Sequence, residues 1–252
     1  MTNIFKDATI LAGDIAAGTL DAADLMEETY AQIAAVNGEV NAIHALLPLE
    51  EAVAQAREAS GPLGGLPLAV KDLANAAGFP TTMGSPIFAS DAPAAADDLF
   101  IKRLRDAGAV VIGKTNTPEF GLGSHSTNPV HGVTRNPWDL SRTAGGSSGG
   151  AAAALSTGMV PIADGSDMMG SLRNPAGWTN TYGLRPSFGL VPSEPVADTF
   201  LHQISTNGPM GRSPQDIELL MRVMSGPNRR ATRCVGVRPY RAAAARGAGA
   251  DR

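Results

Sequence analysis

Apolar residues recur at helical spacing early in the chain. Ala22, Met26, Tyr30 and Ile33 fall on one face, with Asp21 placed to cap the run, and this predicts an amphipathic helix. A second helix is predicted over residues 50–59, after which Ser60-Gly-Pro and the Gly64-Gly65 pair punctuate the chain. Residues 66–70 form a short apolar run with Lys71 at its end, read as a buried strand. A helix over 97–107 carries Leu99, Ile101 and Leu104, Gly108 ends it, and 109–112 read as a strand. Residues 121–142 read as a long loop rich in Gly, Asn, Pro and Ser. A helix is expected over 149–155 and a strand over 160–163, with Ser171 in the turn beyond. The last helix is capped by Ser213, has Pro214 in its first turn, and aligns Ile217, Leu220, Met221 and Met224. This alternation of helices and strands implies an α/β layer architecture, with no internal repeat.

Composition narrows the picture. A 43% hydrophobic content suffices for a sizeable core, and 29 glycines with alanine-rich runs suggest helices packed closely on a sheet. The net charge of −4 gives no overall attraction to nucleic acid or to an anionic membrane. One cysteine excludes an internal disulfide framework and fits a reducing, cytoplasmic setting. The N-terminus shows no basic region followed by an apolar run, and no apolar stretch reaches the roughly 20 residues of a membrane helix. From residue 226 onward there are seven arginines and one acidic residue, against 13 basic and 23 acidic residues before it. Residues 1–227 are therefore expected to form the folded part, and 228–252 an Arg/Ala-rich tail outside it.

Candidate chemistry sits in three segments: LPLAVKD at 66–72, GGSSGGAAAA at 145–154, and DGSDMMGSLR at 164–173. The last two place serines beside glycines, as a nucleophile near an oxyanion-binding backbone would need. No histidine lies in them, so a proton acceptor must come from elsewhere, and Lys71 is the candidate. An ordinary lysine, with a pKa near 10.4, is charged at neutral pH, so a lysine base must be desolvated. Its position at the end of an apolar strand allows this. Taken alone, Lys71 could instead pair with Asp72, Ser147 or Ser148 could be helix caps, and Ser171 a turn serine. Asp167 and Arg173 bracket the turn and read as its ionic brace. His44, His125, His131 and His202 are scattered without metal-ligand spacing and read as surface or packed residues. The glycine runs lack the Gly-Lys-Ser/Thr of a phosphate loop.

Together with AVVIGKTNTPEF at 109–120, TRNPWDL at 134–140, RNPA at 173–176 and GLRPS at 183–187, these segments resemble the amidase signature family of serine amidohydrolases. The resemblance runs from about residue 20 to about 227 and covers the family's first half. It implies a mixed β-sheet core flanked by helices, truncated here. It also implies a Ser–Ser–Lys triad, in which Lys71 matches the base, Ser171 the nucleophile, and Ser147 the bridging serine that follows a cis peptide bond. The oxyanion donors would be the backbone N–H groups of Met168, Met169, Gly170 and Ser171. Met169 stands where the family usually has glycine, which would strain the loop if a positive φ were required there. The implied substrate is a small-molecule carboxylic amide, with no metal or organic cofactor and no nucleic acid or membrane partner. A homo-oligomer is compatible with the sequence. The alternatives are an inactive fragment of such an enzyme, or an amidotransferase-type subunit that releases ammonia from glutamine.

Overall fold

The computed structural model describes residues 2–193 and 204–228. The Arg/Ala-rich tail, apart from residue 228, lies outside the described residues, as does His202. Two helices, α1 (Ala8–Ala16) and α2 (Ala22–Val40), open the chain, and the Asp21 carboxylate caps α2 by accepting the Ala23 N–H at 2.8 Å. The short strand β1 (Ile43–His44), α3 (Leu49–Glu58), β2 (Pro67–Lys71), α4 (Leu99–Asp106) and β3 (Val110–Thr115) follow. Two small hairpins come next, β4 (Thr127–Asn128) with β5 (Gly132–Val133), and β6 (Arg135–Asn136) with β7 (Asp139–Thr143). The remainder is α5 (Gly149–Ser156), β8 (Ile162–Asp167), α6 (Arg173–Thr179), β9 (Tyr182–Gly183), β10 (Thr206–Gly211) and α7 (Pro214–Met224).

Six strands form one mixed sheet in the order β1-β3-β2-β8-β10-β9. Strands β3, β2 and β8 run parallel to one another, and the other pairings are antiparallel. The strands alternate their burial between two cores. Ala69, Val110, Ile112 and Ala163 face a cluster with Met26, Ile33, Ala52 and Ala151–Leu155. Leu68, Val70, Val111 and Ile162 face another with Leu11, Phe100, Leu104, Leu220 and Met224. Helices thus cover both sides, so the central strands read as continuous apolar runs.

Helix α5 is buried along nearly its whole length, although it holds little beyond glycine and alanine. Small side chains let it press on the sheet. A Cβ at Gly150 would fall 2.3 Å from the Asn116 backbone N and 2.7 Å from the Ala42 carbonyl oxygen. This close approach seats the serines at its N-terminus against the ends of the parallel strands, where α/β sheets commonly bind ligands.

The helix and strand expectations above hold, with shifted ends: β3 runs on to Thr115, and β8 starts later and runs to Asp167. The segment read as a loop contains both hairpins, and α1, α6 and β10 carried no clear pattern. β10, with the sequence TNGPMG, lacks apolar alternation and is defined by five residue pairings with β8.

Candidate active site

The strand β2 delivers Lys71 to the C-terminal edge of the parallel strands, where only 1% of its surface is exposed. Its Nζ lies 2.7 Å from Ser147 Oγ, 2.8 Å from Ser148 Oγ and 3.1 Å from Ser166 Oγ. The peptide bond between Gly146 and Ser147 is cis, as the resemblance implied. Burial pushes the Lys71 amine down to about 7, against an opposing pull from Asp164 and Asp167. A neutral amine has a lone pair, so a serine hydroxyl can donate to it, as a proton relay requires.

Lys71 does not pair with Asp72. Neighbouring side chains on a strand point to opposite faces. Asp72 instead meets Lys114, His44 and His131, each at 3.7 Å. Ser148 occupies the N-cap position of α5 but makes no side-chain capping bond. Its hydroxyl faces Lys71, while Ser126 Oγ accepts the Gly149 N–H at 3.0 Å and donates to the Ser147 carbonyl at 3.3 Å.

The turn after β8 presents Ser171. The Asp167 carboxylate organises it, accepting the Gly170 N–H at 2.7 Å and the Leu172 N–H at 3.1 Å. It also receives the Arg173 guanidinium at 3.0 and 3.1 Å. Burial pushes this carboxyl up, but the Arg173 and N–H bonds outweigh it and hold it below the ordinary range. The ionic brace read from the sequence is therefore present. The Ser148 N–H donates to the Ser171 carbonyl at 3.1 Å, joining the turn to the serine pair. Ser171 Oγ makes no hydrogen bond to another described residue.

Of the four expected oxyanion donors, Gly170 has its N–H committed to Asp167. The N–H groups of Met168, Met169 and Ser171 donate to no other described residue. The positive φ in this turn falls at Gly170, at 114°, and not at Met169. Met169 is therefore accommodated without backbone strain, and its side chain is 83% exposed.

Sequence reasoning did not give Ser148 or Ser166 a place beside Lys71. A signal existed for Ser166: Asp164 and Ser166 share one face of β8, and Asp164 accepts the Lys71 backbone N–H at 2.9 Å. Burial raises the Asp164 carboxyl to about 6, partly opposed by that bond. The histidines read as scattered are not all so, because folding stacks His44 on His131 with ring centroids 3.6 Å apart, beside Asp72.

The site thus gathers a buried lysine bonded to paired serines beside a glycine-containing turn that presents a third serine. The family model described as Amidase matches residues 24–249, and the chain belongs to the amidase signature family. It is 38% identical over 223 residues to a glutamyl-tRNA(Gln) amidotransferase subunit of Saccharolobus solfataricus, covering 87% of this chain and 46% of that protein. It is 41% identical over 232 residues to the AtzE subunit of 1-carboxybiuret hydrolase of Pseudomonas sp. strain ADP, covering 88% and 50%. The structure of 6-aminohexanoate cyclic dimer hydrolase complexed with substrate superimposes with a TM-score of 0.88 at 36% identity, covering 94% of this chain and 50% of that one. The chain spans about half the length of the curated relatives it matches. Among the described residues, no helix is long and apolar enough to cross a membrane.

Proposed function

We propose that this chain supplies the nucleophile, relay and base of an enzyme that hydrolyses a small carboxylic amide to an acid and ammonia or an amine. Ser171 Oγ attacks the carbonyl carbon and passes its proton to Ser147, which passes its own to neutral Lys71. The Met168, Met169 and Ser171 N–H groups receive the developing oxyanion. The Gly170 N–H braces the turn instead of joining them. Reversing the relay protonates the leaving nitrogen, and the acyl group remains on Ser171. Water, activated through the same relay, then releases the acid. The reaction as written uses no cofactor, and the single cysteine favours cytoplasmic surroundings.

The observation that carries this reading is the buried Lys71 amine, within bonding distance of two serine hydroxyls and with no carboxylate as its direct partner. A fluorophosphonate probe tests it, because the probe needs the nucleophile and base but little of a substrate pocket. Tryptic mass spectrometry should find the label on Ser171 and none on a Ser171→Ala chain. Label on Ser147 or Ser148 would reverse the assignment.

The amidotransferase relatives favour a second reading, release of ammonia from glutamine in company with partner chains. Faster ammonia release from glutamine than from simple amides would support it.

A further inference from the structure

We propose that Met168 and Met169 form an oxidation site, at which a peroxide converts their thioethers to sulfoxides and thereby closes the turn that presents Ser171. The effect on Ser171 rests on the hydrolase reading above. The two methionines are adjacent and lie in the turn that follows β8, just ahead of Gly170 and Ser171. Met169 is 83% exposed and Met168 41%, and neither packs into the two cores. By contrast, Met26, Met159, Met210, Met221 and Met224 are fully buried, and Met83 is partly buried. A peroxide must touch the sulfur that it oxidises, so it reaches Met169 and Met168 well before the core.

In this step a sulfur lone pair attacks one peroxide oxygen and the O–O bond breaks. Water leaves when the oxidant is hydrogen peroxide, and an alcohol when it is an alkyl peroxide. The sulfur is oxidised by two electrons and the peroxide takes them up. A sulfoxide reductase reverses the step with two electrons from a dithiol, which becomes a disulfide while the oxygen leaves as water.

The turn is sensitive to such a change because half of its donors are idle. Asp167 accepts the Gly170 and Leu172 N–H groups and binds the Arg173 guanidinium, which fixes the backbone. The N–H groups of Met168, Met169 and Ser171 are left without a partner among the described residues. A thioether sulfur is only a weak acceptor, so in the reduced chain these donors stay open for an oxyanion. A sulfoxide oxygen is a strong, dipolar acceptor. It sits on Sδ much as the glutamine carbonyl oxygen sits on Cδ, and the exposed, unbranched Met169 side chain is free to fold back on its own turn. An unpaired N–H draws an acceptor of this kind. A donor already bonded to a sulfoxide no longer serves the oxyanion, so oxidation lowers the reactivity of Ser171 without touching the lysine relay.

The test treats the full chain with limiting hydrogen peroxide and maps its peptides by mass spectrometry. Sulfoxide should appear first at Met168 and Met169, with the buried Met159 of the same tryptic peptide as internal control. Fluorophosphonate labelling of Ser171 should then slow by about two- to tenfold, the occupancy that one intramolecular hydrogen bond gives. A methionine sulfoxide reductase with a dithiol should restore the rate, and the dithiol alone should not. This arm needs no variant. In a chain carrying both Met168→Leu and Met169→Leu, the ratio of treated to untreated rates should be near unity. Met169→Gln, which mimics the sulfoxide, should label more slowly than Met169→Leu before any peroxide is added, with far-UV circular dichroism confirming that both fold. Sulfoxide at the core methionines ahead of Met168 and Met169 would overturn the site. Equal labelling of reduced and oxidised chains, the same slowing in the double Leu chain, or Met169→Gln labelling as fast as Met169→Leu would overturn the coupling to Ser171. No label on the reduced chain would instead sink the hydrolase reading, and the coupling with it.

Discussion

The proposed relay works only while Lys71 is neutral, and this sets a pH dependence. With its ordinary pKa near 10.4, about one lysine in 2,500 is neutral at pH 7. At about 7, the value its burial gives it, roughly half are neutral. Desolvation therefore raises the population of competent base by roughly three orders of magnitude, comparable to what a general base contributes, about 10²–10⁴-fold. Lowering the pH from about 8 to about 6 should cut the neutral fraction, and the rate constant for fluorophosphonate labelling of Ser171, about tenfold. Lys71→Ala should slow labelling by about 10²–10⁴-fold at the higher pH and abolish the pH dependence. Stopped-time labelling read by intact-mass spectrometry measures both. The same shift links to stability. Because the folded-state pKa lies below the unfolded one, the unfolded chain binds the extra proton between about pH 7 and about 10.4. Stability from this group therefore rises with pH through that window, and its cost is largest below about pH 7. A labelling rate that is flat between about pH 6 and 8, or is unchanged in Lys71→Ala, would refute Lys71 as the base.

Three further predictions concern the turn that presents Ser171. Asp167→Ala orphans the Gly170 and Leu172 N–H groups and should cost about 2–4 kcal/mol, with Arg173 regaining water. That is a fall in Tm of roughly 5–15 °C by calorimetry, and one under about 2 °C would contradict the brace. Gly170→Ala places a side chain at φ 114°, with its Cβ 2.7 Å from Asn174 Nδ2, and should cost about 1–3 kcal/mol and slow labelling. Met169→Ala, at an exposed position without positive φ, should leave the melting temperature nearly unchanged.

Much of this site was legible because its chemistry is local. Lys71 ends an apolar strand, and Ser147 lies just ahead of a helix of small residues; both features are visible in a window of ten residues. The brace between Asp167 and Arg173 was legible for the same reason. What the sequence did not disclose depends on long-range contacts. Ser126, 23 residues before Gly149, takes the bond to the first N–H of α5 and leaves Ser148 free to turn toward Lys71. His44 and His131 meet only because β1 pairs with β3 and the β4–β5 hairpin folds back, and no spacing rule records this. Strand β10 was invisible because its position comes from pairing with β8, not from its own propensity.

The neighbours Lys71 and Asp72 show how strand geometry separates two chemistries. Had they paired, the ammonium would have been held charged and useless as a base. The two-residue period of β2 sends Lys71 toward the serines and Asp72 toward Lys114 and the histidines. The other carboxylates near Lys71 are also occupied. Asp167 is engaged by the Arg173 fork and two backbone N–H groups, so its charge is largely compensated before it can hold a proton on Lys71. Asp164 bonds the Lys71 backbone and not its amine, and its own burial lifts its pKa to about 6. What remains around Nζ is three neutral hydroxyls and, at 3.4 Å, the Ser166 carbonyl oxygen, which do not offset the cost of burying a full positive charge. Burial therefore brings the amine down to about 7, so that near neutral pH about half of the lysines have given up the proton, and a neutral lysine facing serine hydroxyls is the arrangement a proton relay needs.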